Sequence, residues 1–81
     1  MTYMSDLSRM IPMATLYQGF GNKVKTLRKE AGLSQEQLAE LIKTDVRTVV
    51  AIEGGNRNPT MKTINKISKA FKVSLSDLLH F

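Results

Sequence analysis

Arg47 is the side chain whose type and setting most invite chemistry. It lies in the segment Val46–Glu53, where Val49 and Ile52 share one side and Val46, Arg47, Thr48, Val50 and Ala51 are left to face outward to differing degrees. A guanidinium offers a planar fork of donors, which suits the O6 and N7 acceptors of a guanine and also suits phosphate oxygens. Val46, Val50 and Ala51 carry no polar side-chain atoms and can only pack on apolar groups such as thymine methyls. This is chemistry of recognition. Bond-making chemistry lacks its parts: the chain has no cysteine, its one histidine is His80 beside the C-terminus, and no carboxylate cluster appears. Gly19-Phe20-Gly21 is too short for a dinucleotide fingerprint. The residues therefore imply no enzyme, no metal site and no cofactor.

The elements that position these side chains are short helices. Ser34 is a good N-cap, and Gln37 stands three residues on, where a capping box wants Glu or Gln. Leu38, Ala39, Leu41 and Ile42 then give one apolar face over two turns. Lys43-Thr44 breaks the pattern, Asp45 is a second N-cap, and Gly54-Gly55 ends the helix that carries Arg47. Two short helices joined by so tight a turn form an αα unit of the helix-turn-helix kind, with small Ala39 allowing a close crossing. Before them, a helix is expected from about Gly21 to Ala31, capped by Asn22, stopped by Gly32, with Val24, Leu27 and Ala31 inward. After them, Thr60 caps a helix from about Met61 to Phe71 whose core face is Met61, Ile64, Ile67, Ser68 and Phe71. Lys66 and Lys69 read as a solvated stripe, and Lys62, near the helix start, is a phosphate candidate. Ser74 or Ser76 caps a last short helix holding Leu75, Leu78 and Leu79.

Size and charge set the bounds. An 81-residue chain with 42% hydrophobic residues is one globular domain, small enough that oligomerisation is a common supplement to its core. The absence of cysteine removes any disulfide framework. No run of about 18 apolar residues is present, so nothing reads as a membrane span, and the first residues lack the pattern of a secretory signal. A cytoplasmic location is the expectation. The net charge is +5, and residues 1–18 contribute only Asp6 and Arg9, so the excess lies in residues 19–81. A basic domain of this size suits a polyanionic partner. Residues 1–18 form an N-terminal arm with two readings open: a flexible leader, or an apolar arm (Met4, Leu7 and Ile11 at helical spacing, ended by Pro12) that docks on the domain, a sister subunit or another protein.

Leu33-Ser34-Gln35-Glu36, Leu38-Ala39, Ile52-Glu53, Gly55 and Arg57-Asn58-Pro59, read without a gap, resemble the phage-repressor or Cro-like helix-turn-helix family, also called the xenobiotic-response-element family. The resemblance covers about Gly21 to Leu79. It implies an all-α, lambda-repressor-like bundle of about five short helices, with residues 19–81 as a helix-turn-helix DNA-binding domain. It also implies base readout by Val46, Arg47 and Ala51, with Thr48 and Val50 flanking, from a helix in the major groove. A phosphate contact or a free surface arginine is the other reading of Arg47. The family places Gln35 and the Asn56-Arg57-Asn58 loop on the DNA backbone, where ordinary capping and turn roles are the alternatives. An arginine at Arg28 pairs with the glutamate matching Glu53 as a structural ion pair, against a solvated Arg28. The terminal element adds core and dimer contacts, for which Leu75, Leu78, Leu79 and Phe81 are the candidates.

The chain departs from the family at two turns, where Lys43 and Lys72 replace glycines. If the backbone keeps a positive φ there, each lysine carries a strain of roughly 1 kcal/mol. Lys43 would offset this by reaching a phosphate. The function implied is a sequence-specific double-stranded DNA-binding transcriptional regulator, a repressor or autoregulator bound as a homodimer to a palindromic operator. An antitoxin whose arm or C-terminus also holds a toxin stays open within that reading. The alternative is a protein-interaction module of the same fold that no longer reads DNA specifically.

Overall fold

The computed structural model describes residues 13–81. The Met4–Ile11 face and Pro12 lie outside the described residues. Among the described residues five helices follow in order: α1 (Met13–Glu30), α2 (Gln35–Leu41), α3 (Val46–Glu53), α4 (Met61–Phe71) and α5 (Leu75–Leu78). The described residues contain no strand.

Local chemistry accounts for most of the boundaries. Ser34 Oγ accepts from the Gln37 N–H at 3.0 Å while the Gln37 side chain accepts from the Ser34 N–H at 2.8 Å, a complete capping box. Asp45, Thr60 and Ser74 cap α3, α4 and α5 through backbone N–H groups of Arg47, Thr63 and Asp77. After α1 the chain turns at Gly32 (φ 73°), and after α3 it turns at Gly55 rather than Gly54. Lys43 and Lys72 both hold φ 56°, so both turns keep the left-handed geometry for which the family uses glycine. The strain expected of these lysines is therefore present in the backbone.

The first helix departs from the expected boundary. It runs from Met13, not from about Gly21, so Asn22 is an exposed mid-helix residue rather than a cap. Gly19 and Gly21 fall inside this helix and serve packing. A methyl group on Gly21 would stand 2.9 Å from the Glu53 carbonyl oxygen and closer still to that of Ile52. The missing side chain lets α1 press directly on the C-terminal end of α3. Gly19 makes room in the same way for the ring of Phe81, which also packs on Phe20 with centroids 6.3 Å apart. The end of the chain thus returns to α1.

The core is Phe20, Val24, Leu38, Ala39, Ile42, Val49, Ile52, Ile64, Ile67 and Leu78. It draws on all five helices (Ile42 as the C-cap of α2) and leaves the outer side of α3 unpacked. Leu41, Met61 and Ala31, expected inward, are exposed. Leu41 is the last residue of α2 and Met61 the first of α4, so each sits at a helix end, where apolar spacing alone does not supply a packing partner. Ser68, buried in α4, donates from Oγ to the Val73 carbonyl at 2.6 Å and so ties α4 to the turn after it.

Candidate nucleic-acid interface

The C-terminal end of α3 is locked by charge as well as by packing. Arg28 Nε donates to one Glu53 carboxylate oxygen at 2.6 Å and Nη2 donates to the other at 3.0 Å. Arg28 Nη1 also donates to the Leu33 carbonyl at 2.8 Å, fixing the link between α1 and α2. Gln35 Nε2 donates to Glu53 at 3.1 Å from the first residue of α2. One buried carboxylate therefore gathers α1, α2 and α3. The hydrogen bond to Glu53 holds the Arg28 pKa above its already high ordinary value, against burial, which acts the other way. No buried side-chain nitrogen or oxygen among the described residues is left without a partner, which is what makes a buried pair tolerable.

The N-terminal end of α3 is open. Arg47 is almost fully exposed, with 88% of its side-chain surface accessible. It is nevertheless not a free rotor. Asp45 Oδ1 accepts from the Arg47 backbone N–H at 2.8 Å as the helix cap. The same carboxylate accepts from Arg47 Nε at 3.1 Å and from Nη2 at 3.0 Å. These bonds lower the Asp45 pKa to about 2 and raise that of Arg47. From the sequence Asp45 is legible as a cap, and its hold on the Arg47 guanidinium is a second role beyond that. The signal was available, since an aspartate cap two residues before an arginine puts both groups at one helix end.

The other expected readers differ in availability. Val50 is exposed, while Thr48 and Ala51 are half-buried. Val46 packs partly against the core cluster, so it is less free than its place on the outward arc suggested. Of the expected phosphate ligands, Lys43, Asn56, Arg57 and Lys62 are all exposed. Gln35 is half-buried and spends one amide hydrogen on Glu53, which leaves the other for an outside acceptor.

The four residues expected at a dimer contact divide. Leu75, Leu79 and Phe81 are exposed apolar side chains, and Leu16 on α1 is another. Leu78 is fully buried in the core. Its side chain is spent within one subunit and is withdrawn from the dimer set. Among the described residues no helix is long and apolar enough to cross a membrane.

This geometry defines an all-helical domain built around a helix-turn-helix, with the second helix of the unit braced from behind and open in front. The Helix-turn-helix family pattern matches residues 24–78. The chain is similar to the control protein C.MunI of Mycoplasma sp, with 45% identity over 60 residues that span 73% of this chain and 81% of that protein. It is similar to the cryptic phage CTXphi transcriptional repressor RstR of Vibrio cholerae, with 33% identity over 60 residues, 74% of this chain and 54% of that protein. The crystal structure of the restriction-modification controller protein C.AhdI from Aeromonas hydrophila superposes with a TM-score of 0.74 at 35% identity, covering 76% of this chain and 94% of that one. The chain belongs to the helix-turn-helix family of transcriptional regulators that includes phage repressors and restriction-modification controllers.

Proposed function

We propose that this protein is a sequence-specific double-stranded DNA-binding regulator that acts as a repressor or autoregulator, is not an enzyme, and works in the cytoplasm. The observation that carries the reading is the state of α3: its back is fixed by Glu53, Val49 and Ile52, while Arg47 and Val50 stand exposed on the other side. A braced helix with an open polar and apolar face is what major-groove readout requires. Arg47 would read a guanine. Val50, with Val46, Thr48 and Ala51 beside it, would supply contacts of the thymine-methyl kind. Gln35, Lys43, Asn56, Arg57 and Lys62 would hold the backbone and set the register without reading sequence. The names of the relatives, a control protein and a phage repressor, support regulation by DNA binding.

The protein would act as a homodimer joined through Leu75, Leu79 and Phe81. Those side chains are exposed apolar groups on one terminal segment, and Phe81 among them packs beside α1. A dimer would set two copies of α3 about one turn of DNA apart on a palindromic operator and block a promoter by occupancy.

Selection of bound fragments from the source genome tests the proposal, followed by affinity for the winner and for random duplex over a salt series. A two-fold motif bound about a thousandfold more tightly than random DNA is the expected result. Weak binding without a motif, governed by salt alone, would overturn it and favour a protein-interaction module of the same fold.

A further inference from the structure

We infer that Asp45 is a specificity-determining positioning residue, which holds the Arg47 guanidinium by one edge so that its free edge is presented to a base. The inference rests on the DNA-reading proposal above. It starts from the geometry of a single carboxylate that serves two masters. Asp45 is fixed first by the backbone, because the Arg47 N–H donates to Oδ1 at 2.8 Å and makes Asp45 the cap of α3. An aspartate held in this way cannot wander with the arginine. It is an anchor set by the helix itself.

The guanidinium then docks on that anchor side-on, with Nε on Oδ1 at 3.1 Å and Nη2 on Oδ2 at 3.0 Å. Two bonds to two oxygens fix the plane of the group as well as its position. This uses the Nε–Nη2 edge. The remaining donors are both hydrogens of Nη1 and the second hydrogen of Nη2. Nη1 makes no hydrogen bond among the described residues, and the side chain is 88% exposed. The Nη1–Nη2 edge is therefore an unoccupied fork. That is the edge able to meet guanine O6 and N7 together.

Two consequences separate this arrangement from an ordinary surface ion pair. A long exposed arginine normally gives up rotamer freedom when it binds, and pre-docking reduces that loss. The pairing also cancels charge at the tip of α3. Arg47 is then less able to grasp any nearby phosphate, and its remaining fork is better used on a base. Asp45 would thus raise the ratio of specific to non-specific binding more than it raises affinity itself.

Asp45→Asn and Asp45→Ser are the test variants, because Asn and Ser both cap helices well and neither carries the charge. Sites are selected from a randomised duplex library with the wild type, each variant and Arg47→Ala. Binding to the wild-type winner, to its single-position changes and to random duplex is then measured, with thermal melting of each protein alongside. The inference expects Arg47→Ala to erase one guanine position. It expects both Asp45 variants to lose at least about fivefold of the discrimination at that same position. Their binding to random duplex should be unchanged or tighter, and their melting close to wild type. Full discrimination retained in both variants would overturn the inference and leave Asp45 a helix cap alone. So would a parallel loss on every duplex together with a fall in melting temperature. A wild-type selection that yields no motif would remove the DNA-reading proposal and this inference with it.

Discussion

Among the described residues, two arginine–carboxylate pairs have nearly the same geometry in opposite surroundings. Arg28 and Glu53 meet at 2.6 and 3.0 Å with side chains 9% and 3% exposed. Arg47 and Asp45 meet at 3.1 and 3.0 Å with side chains 88% and 50% exposed. Both pairs involve α3, one at its C-terminal end and one at its N-terminal end. The difference lies in water. The buried pair is difficult to break, because either partner left alone would be an uncompensated charge. The exposed pair adds little stability, and it leaves the Nη1–Nη2 edge of Arg47 facing solvent. The same chemistry thus anchors one end of the helix and, at the other end, holds an arginine with one edge open to solvent.

Breaking the anchored end should have the largest effect. Glu53→Ala or Arg28→Ala is expected to cost about 3–5 kcal/mol. For a domain of this size that lowers the melting temperature by more than about 12 °C, read by circular dichroism. A drop of only a few degrees would show that the two ends of α3 are less unlike than their burial implies. Gly21→Ala probes the same end without touching charge. The added methyl meets backbone carbonyls that cannot turn aside, so a loss of about 1–3 kcal/mol is expected in chemical denaturation. Gly54→Ala is the control, because its nearest neighbour is the movable Asn56 side chain.

The two strained turns sharpen the comparison from the other side. Lys43 precedes the open end of α3, whereas Lys72 follows α4, and both hold φ 56°. Replacing either by glycine should stabilise the fold by up to about 1 kcal/mol. Only Lys43→Gly should also weaken binding to DNA of every sequence. Equal effects of the two on DNA would deny Lys43 its phosphate role.

The smallest effect is one of pH. Asp45 is depressed from an ordinary 3.8 to about 2, chiefly by the hydrogen bonds from Arg47. A carboxylate lowered in the folded state contributes stability above its unfolded pKa and loses it as pH falls through the folded value. The Asp45 contribution should therefore fade between about pH 4 and pH 2. Asp45→Asn should remove that part of the acid limb in a series of melts. Solvent screening of this exposed pair makes the change slight.

The sequence shows this division unevenly. Caps are local chemistry, so Ser34, Asp45 and Thr60 are readable one by one, Ser74 only as one of a pair with Ser76, and Asn22 wrongly; the glycine-like turns at Lys43 and Lys72 follow from where the family's glycine is missing. Three features were hidden because they depend on a neighbour distant in the chain. Gly19 and Gly21 look like helix breakers until Phe81 and the end of α3 are brought against them. Gln35 looks like a surface ligand until Glu53 arrives beside it. Leu78 has the spacing of its exposed neighbours and is nevertheless the residue of α5 that fills the core. The candidate readers on α3 were visible as an arc of residues, but their ranking was not, since Val46 is drawn partly into the core and Arg47 is held by its own cap.

Stability lies at the C-terminal end of α3, and recognition is proposed for the N-terminal end. The most direct test is Arg47→Ala, measured both for melting and for binding to the selected operator against random duplex. The expected result is a melting temperature within about 2 °C of wild type and a loss of roughly 1–3 kcal/mol on the operator alone, with one base position relaxed. An equal loss on operator and random DNA, or a collapse of the fold, would contradict it.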